Sequence, residues 1–318
     1  MRIKQIIAAL FLCVFLVLST AVLGHSYSSI LAFGDSLSDN GFYQGYPGGT
    51  PGNTNPNDIY GFKYFTNGPV WVEYLADPSH LNVPLFDMAY GGATTSGDNP
   101  AAPDPYKHVT GLQWQVDTYT SVYSAVPGDA LVTVWAGAND FFQLRDYETA
   151  AQNVTSAVQK LADAGGNNFL ISFLPDIGLT PRFLGTEFQE SATLWSEAFN
   201  MLLAADLAVL ASTPEYGDIN IYTLDAFTLL RDFIANPGFY GFTDVSTSGN
   251  GNPPEGYLFW DGVHPTTAAH ALFAYYAMGA IGVPVPEPVT ILLLGIGVVG
   301  LTGVRRRFSK RAQGCIHT

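Results

Sequence analysis

The chain has 318 residues, and its composition, 47% hydrophobic and 13% charged, provides for a large core and excludes a disordered chain. Seven of the 13 Lys and Arg residues but only one of the 27 acids lie in residues 1–24 and 287–318, so residues 25–286 hold six basic and 26 acidic residues, a balance of −20. A body this acidic repels phosphate backbones, which excludes a nucleic-acid partner.

The first segment of the chain, residues 1–24, has the pattern of a secretory signal peptide. A short basic start is followed by a long apolar stretch, and small residues follow from Ala21 to Gly24. The alternative is a membrane anchor that is retained. The small residues at the end of the stretch favour cleavage, and we therefore predict an exported protein.

Apolar runs and helical periodicities alternate along the body of the chain, residues 27–283. The predicted strands are 29–33, 87–90 (a short strand or turn), 130–135, 169–174 and 219–224. The predicted helices are 70–76, 112–125, 149–164, 187–210, 225–234 and 265–281. Strands that alternate with helices predict an α/β fold, in which a central parallel sheet is covered on both faces as a three-layer α/β/α sandwich.

Two of these helices carry specific expectations. In the helix over 187–210 we expect the apolar side to be formed by Phe188, Leu194, Trp195, Phe199 and Leu202. The final helix is predicted to begin at Pro265, because proline is favoured in the first turn.

Four polar clusters follow the predicted strands or precede the last helix. They are Phe33–Gly41 (FGDSLSDNG), Ala89–Thr95 (AYGGATT), Trp135–Asp140 (WAGAND) and Trp260–Pro265 (WDGVHP). Functional groups of open α/β sheets collect at the carboxyl ends of the strands. Each cluster alone is equally explained by helix capping or a tight turn.

The residue types in these clusters suit acyl transfer. Ser36 follows a strand on a glycine-flanked turn, which can present its hydroxyl to a crevice. His264 lies three residues after Asp261, so a carboxylate can orient the imidazole and stabilise its protonated form. The amide of Asn139 and a backbone N–H of the Gly91-Gly92 pair can donate to an oxyanion.

Taken in this order along the body, the four motifs resemble those of the GDSL, or SGNH, hydrolase family, whose fold is flavodoxin-like. The resemblance implies a serine esterase or lipase with Ser36 as nucleophile, His264 as general base and Asp261 as its orienting carboxylate. It implies an oxyanion hole made by the backbone N–H groups of Ser36 and Gly92 and the side chain of Asn139, with Gly91 left open as an alternative to Gly92. The implied domain is 25–283, and its substrate is an ester of a lipid or of an acylated polysaccharide.

Neither a cofactor nor a metal is implied by the sequence. The only cysteines are Cys13 and Cys315, so the body has no disulfide, thiolate metal site or cysteine nucleophile. No HExxH motif, Cys/His cluster or regular calcium loop is present.

The C-terminal tail, residues 284–318, has three parts: a Pro-Glu-Pro sequence at 286–288, an uncharged stretch at 289–304 and three arginines at 305–307. An apolar segment followed by basic residues predicts a transmembrane segment with the arginines inside. The tail resembles the PEP-CTERM sorting signal of Gram-negative bacteria. That resemblance implies transient anchoring in the inner membrane, recognition by an exosortase, and delivery to the cell surface or the extracellular space.

Two alternatives remain beside the exported esterase. One is a non-catalytic surface protein that binds extracellular polysaccharide on the same scaffold, and the intact set of nucleophile, base and oxyanion donors argues against it. The other is an enzyme tethered to the membrane by both ends. In each case we expect contact with the membrane only through the terminal segments.

Overall fold

The structure is a computed structural model that describes residues 27–41, 65–102 and 108–283. The predicted signal peptide (1–24), the sorting tail (284–318) and its apolar stretch (289–304) lie outside the described residues. The described residues up to Gly282 belong to one compact unit of the chain.

The centre of this unit is a sheet of five strands in which every neighbouring pair is parallel. The strands are β1 (Ile30–Gly34), β2 (Leu85–Asp87), β3 (Leu131–Trp135), β4 (Asn168–Ser172) and β5 (Asn220–Leu224). Their order across the sheet is β2-β1-β3-β4-β5, which is the order of flavodoxin-like folds. The predicted fold class is confirmed.

The three central strands β1, β3 and β4 are buried at every residue. Both faces of a parallel sheet are covered by helices, which is why these strands are apolar along their length rather than alternating. β5 lies at one edge of the sheet and is only partly buried.

The helices pack in two groups. They are α1 (Trp71–Ala76), α2 (Leu112–Tyr123), α3 (Ala138–Phe142), α4 (Tyr147–Asp163), α5 (Gln189–Ser212), α6 (Ala226–Ala235), α7 (Pro237–Tyr240) and α8 (Thr267–Ala280). One group contains α2, α4 and α5, with the short α3 against α4 and α5; in the other α1 packs against α8, while α6 contacts α7. The short helices α3 and α7 were not predicted.

The expected apolar side of α5 was partly wrong. Phe199 is buried, but Phe188 and Leu194 are exposed, and the buried side instead includes Ser196 and Asn200. Asn200 is tolerated there because its amide oxygen accepts the backbone N–H of Leu174 (2.8 Å) and its nitrogen donates to the Leu174 carbonyl (2.9 Å). The buried face of α5 is therefore not its most hydrophobic face, because polar side chains on it form hydrogen bonds with the backbone of a neighbouring loop.

α5 is also the one helix of the described residues that is long and apolar enough to cross a membrane. A core helix of a folded domain passes the same test, and α5 packs along α4.

The prediction that Pro265 begins the last helix was wrong. α8 begins at Thr267, with Thr266 at its N-cap. Pro265 instead forms an isolated antiparallel bridge with Phe259. The loop before α8 closes on itself because Trp260 donates its backbone N–H to the His264 carbonyl over 2.8 Å. This closed loop carries the Asp261–His264 pair.

Candidate active site

The four polar clusters meet at the carboxyl edge of the sheet. Ser36 lies in the turn after β1, Gly92 in the loop after β2, Asn139 in helix α3 after β3, and His264 in the loop before α8. All four line one cavity of about 390 Å³. The structure therefore brings together segments that are far apart in the sequence.

Ser36, His264 and Asp261 form a continuous hydrogen-bonded chain. The Nε2 atom of His264 lies 2.9 Å from the Ser36 hydroxyl oxygen, and its Nδ1 atom lies 2.7 Å from Oδ2 of Asp261. An imidazole held in this way can take a proton from the hydroxyl on one side while the carboxylate stabilises the resulting charge on the other.

The carboxylate of Asp261 is buried and fixed by its own turn. Its second oxygen, Oδ1, accepts the backbone N–H groups of Val263 (2.8 Å) and His264 (2.7 Å). Burial raises the pKa of Asp261, but the hydrogen bond and charge of His264 together with these N–H groups outweigh it, so the pKa lies below its usual value. Asp261 is therefore an ionised partner for the imidazole.

The turn that carries Ser36 depends on close approach of β1 and β3. Gly34 has a φ of +150°, and a Cβ there would lie 2.1 Å from the Trp135 carbonyl oxygen. The buried side chain of Gln115 forms hydrogen bonds with both backbone groups of the same glycine: it accepts the Gly34 N–H (2.9 Å) and donates to the Gly34 carbonyl (2.8 Å). The sequence analysis did not single out Gln115, and the tie to Gly34 spans 81 residues.

The backbone separates the roles of Gly91 and Gly92. The N–H of Gly91 donates to Oδ2 of Asp39 over 2.7 Å, so it is already used. The N–H of Gly92 has no acceptor among the described residues, and this glycine lines the cavity. Gly92 has a φ of +83°, and a Cβ there would lie 2.6 Å from the Ala101 Cβ. The available donor of the pair is thus that of Gly92.

Two further donors face the same region. The Nδ2 atom of Asn139 donates one of its two hydrogens to the Ala93 carbonyl over 3.0 Å, which fixes the amide and leaves the other hydrogen available. The backbone N–H of Ser36 also has no acceptor within the described parts of the chain.

Buried carboxylates surround these donors. Asp140 accepts both the N–H (2.8 Å) and the hydroxyl (2.9 Å) of Thr95, which ties α3 to the loop of Gly92. Burial raises the pKa of Asp35 to about 7 and those of Asp39 and Asp140 to about 6. Asp39 and Asp140 stand within the sequence motifs, one beside the serine turn and the other beside Asn139, but neither had been assigned a role.

The cavity is mostly apolar, with a single fixed positive charge among the described residues that line it. That charge is Arg182, which follows the 3₁₀ turn Ile177–Leu179. The apolar part of the lining includes Leu37, Phe65, Trp135, Phe142, Ile177, Leu230, Phe259 and Phe273. A lining of this kind accommodates an apolar group of a ligand, with the polar atoms of the site at one place on the wall.

Comparison with family models matches residues 30–277 to the GDSL-like Lipase/Acylhydrolase family and residues 284–307 to the PEP-CTERM protein-sorting motif. Both predicted resemblances are confirmed, and the sorting motif suggests export. The matched tail lies outside the described residues.

Two curated proteins illustrate the similarity. The thermolabile hemolysin of Vibrio parahaemolyticus is 28% identical over 274 residues, which cover 78% of this chain and 62% of the hemolysin. The phosphatidylcholine-sterol acyltransferase of Aeromonas hydrophila is 26% identical over 304 residues, which cover 77% of this chain and 88% of that protein. The chain thus spans less than two thirds of the length of the hemolysin.

Among solved structures, a member of the lipolytic G-D-S-L family from Veillonella parvula aligns with a TM-score of 0.46 and 18% sequence identity. The alignment covers 79% of this chain and 95% of that protein.

Proposed function

The chain belongs to the GDSL-like Lipase/Acylhydrolase family of ester-hydrolysing enzymes, and we propose that it is an exported serine esterase that acts through Ser36, His264 and Asp261. The observation that carries the proposal is the 2.9 Å contact between the Ser36 hydroxyl and Nε2 of His264, whose other nitrogen lies 2.7 Å from Asp261. A serine hydroxyl is a weak nucleophile at neutral pH and needs such a base.

In the proposed reaction the Ser36 oxygen attacks the ester carbonyl carbon while its proton passes to Nε2 of His264. Asp261 stabilises the imidazolium that forms. The imidazolium then gives the proton to the leaving alcohol oxygen, and an acyl group remains on Ser36. A water molecule attacks this acyl group, again with His264 as base, and the acid is released as Ser36 regains its proton.

The negative oxygen of each tetrahedral intermediate would be held by the N–H groups of Ser36 and Gly92 and by Nδ2 of Asn139. The backbone N–H groups of Ser36 and Gly92, which have no acceptor in the part of the chain that the structure describes, support this assignment, as does the use of the Gly91 N–H by Asp39. Each such donor contributes about 100-fold or more to the rate in related chemistry.

We further propose that residues 1–24 are removed on export, that residues 25–283 form the hydrolase domain, and that an exosortase processes the tail at 284–318. The localisation that follows is the surface or surroundings of a Gram-negative cell. Mass spectrometry of the exported protein tests this part, since an intact tail in the mature form would contradict processing.

The central test is hydrolysis of p-nitrophenyl butyrate by the purified protein and its Ser36→Ala variant. We expect turnover by the wild type and loss of at least about 1,000-fold in the variant, with the unfolding temperature unchanged, because only the nucleophile is lost. Equal activity of the two proteins would contradict the role of Ser36. A wild type inert on short and long acyl esters would favour the polysaccharide-binding alternative.

A further inference from the structure

Arg182 is fixed beside the turn that carries His264. Its backbone N–H donates to the Gly262 carbonyl over 2.8 Å, and Gly262 lies between Asp261 and His264. The arginine and this histidine line the same cavity. The main chain of Arg182 is therefore fixed beside the turn of the proposed base, and its side chain lines the same cavity.

The charge of Arg182 is not neutralised within the described residues. The guanidinium lies over the rings of Phe142 (5.1 Å) and Phe183 (5.5 Å), and it has no ion pair or side-chain hydrogen bond with them or with any other described residue. By contrast, Arg145 contacts Asp98 at 2.6 Å and Arg231 contacts Asp176 at 2.9 Å. In a body with a balance of −20, a solvent-exposed arginine without an acidic partner at a cavity is available for an anion from solution.

The rings also orient this group. Phe142 and Phe183 are stacked with 9° between their planes, and Arg182 packs on both. Cation–π contacts restrict a guanidinium without using its N–H donors, so the five donors stay available for a planar or tetrahedral oxyanion.

We propose that Arg182 binds an anionic group on the alcohol side of the ester, namely the phosphodiester of a phospholipid, while the acyl chain occupies the apolar cavity. This rests on the proposed function. A lipid is favoured over an acidic polysaccharide because most of the lining is apolar and the cavity, about 390 Å³, exceeds the size of an acetyl group. Two exposed apolar side chains follow cavity-lining residues along the chain: Leu144 follows Gln143 and is 92% exposed, and Leu184 lies two residues after Arg182 and is 37% exposed. Exposed leucines at these positions also favour an apolar substrate.

The first test compares two substrates with the same acyl chains, soluble dihexanoyl phosphatidylglycerol and the neutral dihexanoyl glycerol. The measured quantity is the ratio of kcat/KM for the anionic ester to kcat/KM for the neutral one. Arg182→Gln should lower this ratio by about tenfold or more, as expected for loss of a charge-assisted contact. Arg182→Lys should restore part of it, and added salt should lower the ratio in the wild type more than in Arg182→Gln.

The matched control is Lys160→Gln, which removes one positive charge at an exposed site where Lys160 contacts Asp117. Its ratio should equal that of the wild type. An unchanged ratio in Arg182→Gln would overturn the proposal, whether both activities fall equally, which would show a structural role, or neither falls. An acetylated acidic polysaccharide is assayed as a third substrate, and a loss in Arg182→Gln confined to it would overturn the choice of a lipid.

A second experiment measures binding and not turnover, so its result tests the role of Arg182 independently of the proposed esterase activity. Calorimetric titration of dihexanoyl phosphatidylglycerol into Ser36→Ala should show binding that weakens by about tenfold in Ser36→Ala/Arg182→Gln. The same affinity in both proteins would reject the role of Arg182. A wild type that is inert on p-nitrophenyl butyrate but shows this difference in binding would reject only the esterase.

Discussion

Asp39 accepts the backbone N–H of Gly91 over 2.7 Å, across 52 residues of sequence, and its other oxygen accepts the N–H of Gly41 at the same distance. One buried carboxylate thus joins the turn of Ser36 to the loop of Gly92. Because it occupies the Gly91 donor next to Gly92, we expect Asp39 to act on the site by positioning the Gly92 peptide and not by contact with a substrate.

Replacement of Asp39 tests this relationship. In Asp39→Ala the Gly91 N–H loses its acceptor and the next N–H, that of Gly92, loses its alignment. We expect kcat on p-nitrophenyl butyrate to fall by about 10- to 100-fold, with KM changed little. The larger value corresponds to complete loss of one oxyanion donor. Asp39→Asn, which keeps one acceptor oxygen, should lie between the wild type and Asp39→Ala.

The control for Asp39 is Asp77→Ala, which removes an exposed aspartate that accepts the N–H of Ser79 after helix α1. Its kcat should match that of the wild type. If Asp39→Ala raised KM and left kcat unchanged, the carboxylate would contribute to substrate binding and not to the alignment of Gly92.

Gly92→Ala offers a sharper test of the same donor, because a Cβ would lie 2.7 Å from the amide oxygen of Asn99 and 2.6 Å from the Ala101 Cβ at a φ of +83°. The peptide must move, so we expect kcat to fall by about 100-fold. Gly97→Ala lies in the same loop with nothing within 4 Å of the added carbon, and its activity should stay within about twofold of the wild type. Equal effects of the two substitutions would mean that the loop tolerates no change, and would remove the argument for Gly92.

Asn139→Ala removes the third proposed donor. The variant loses the amide that donates to the Ala93 carbonyl, so both the oxyanion contact and its fixed geometry disappear. We expect kcat to fall by about 100-fold with similar KM, measured from rates over a range of p-nitrophenyl butyrate concentrations. A variant with unchanged kcat would show that Asn139 is not an oxyanion donor.

The stability of the protein should depend on pH through His270. This buried side chain accepts the Trp71 backbone N–H at Nδ1 over 3.3 Å, and burial lowers its pKa from 6.5 to about 3, with the charge of His264 adding to the effect. The folded state therefore binds this proton less readily than the unfolded state. The contribution of His270 is complete above about pH 6.5 and is lost as the pH falls towards 3, at up to about 1.4 kcal/mol per pH unit.

Thermal or urea unfolding between pH 7 and 4 measures this effect when the wild type is compared with His270→Asn, which keeps an acceptor but does not titrate. The buried Asp35, whose pKa burial raises to about 7, has the opposite dependence but is common to both proteins. The difference in free energy of unfolding should therefore move in favour of the variant as the pH falls. Parallel pH profiles would contradict the prediction.

Much of the fold could be predicted from the sequence because the central strands are buried on both faces and appear as short apolar runs. Periodicity was less informative for α5, where Asn200 is buried because its amide bonds the Leu174 backbone. The start of α8 was missed because the loop before it is closed by contacts between its own residues, including the bridge of Phe259 and Pro265.

For the candidate site too, some residues could be predicted from the sequence and others could not. The motifs identified Ser36, Asp261 and His264, which the fold brings together, while their catalytic roles stay predictions. Supporting residues such as Gln115 and Arg182 were missed because their importance lies in contacts with distant segments, which no local pattern records. A choice that the sequence left open, between Gly91 and Gly92, depends on which N–H the Asp39 carboxylate occupies.

The hydroxyl of Ser36 and the imidazole of His264 are separated by 228 residues, so they come from the two ends of the domain. During synthesis the proposed nucleophile emerges first and the proposed base among the last elements, directly ahead of α8. On the proposed mechanism, a nascent or truncated chain holds Ser36 without its base, so esterase activity would begin only after the whole sheet and its final helix have assembled.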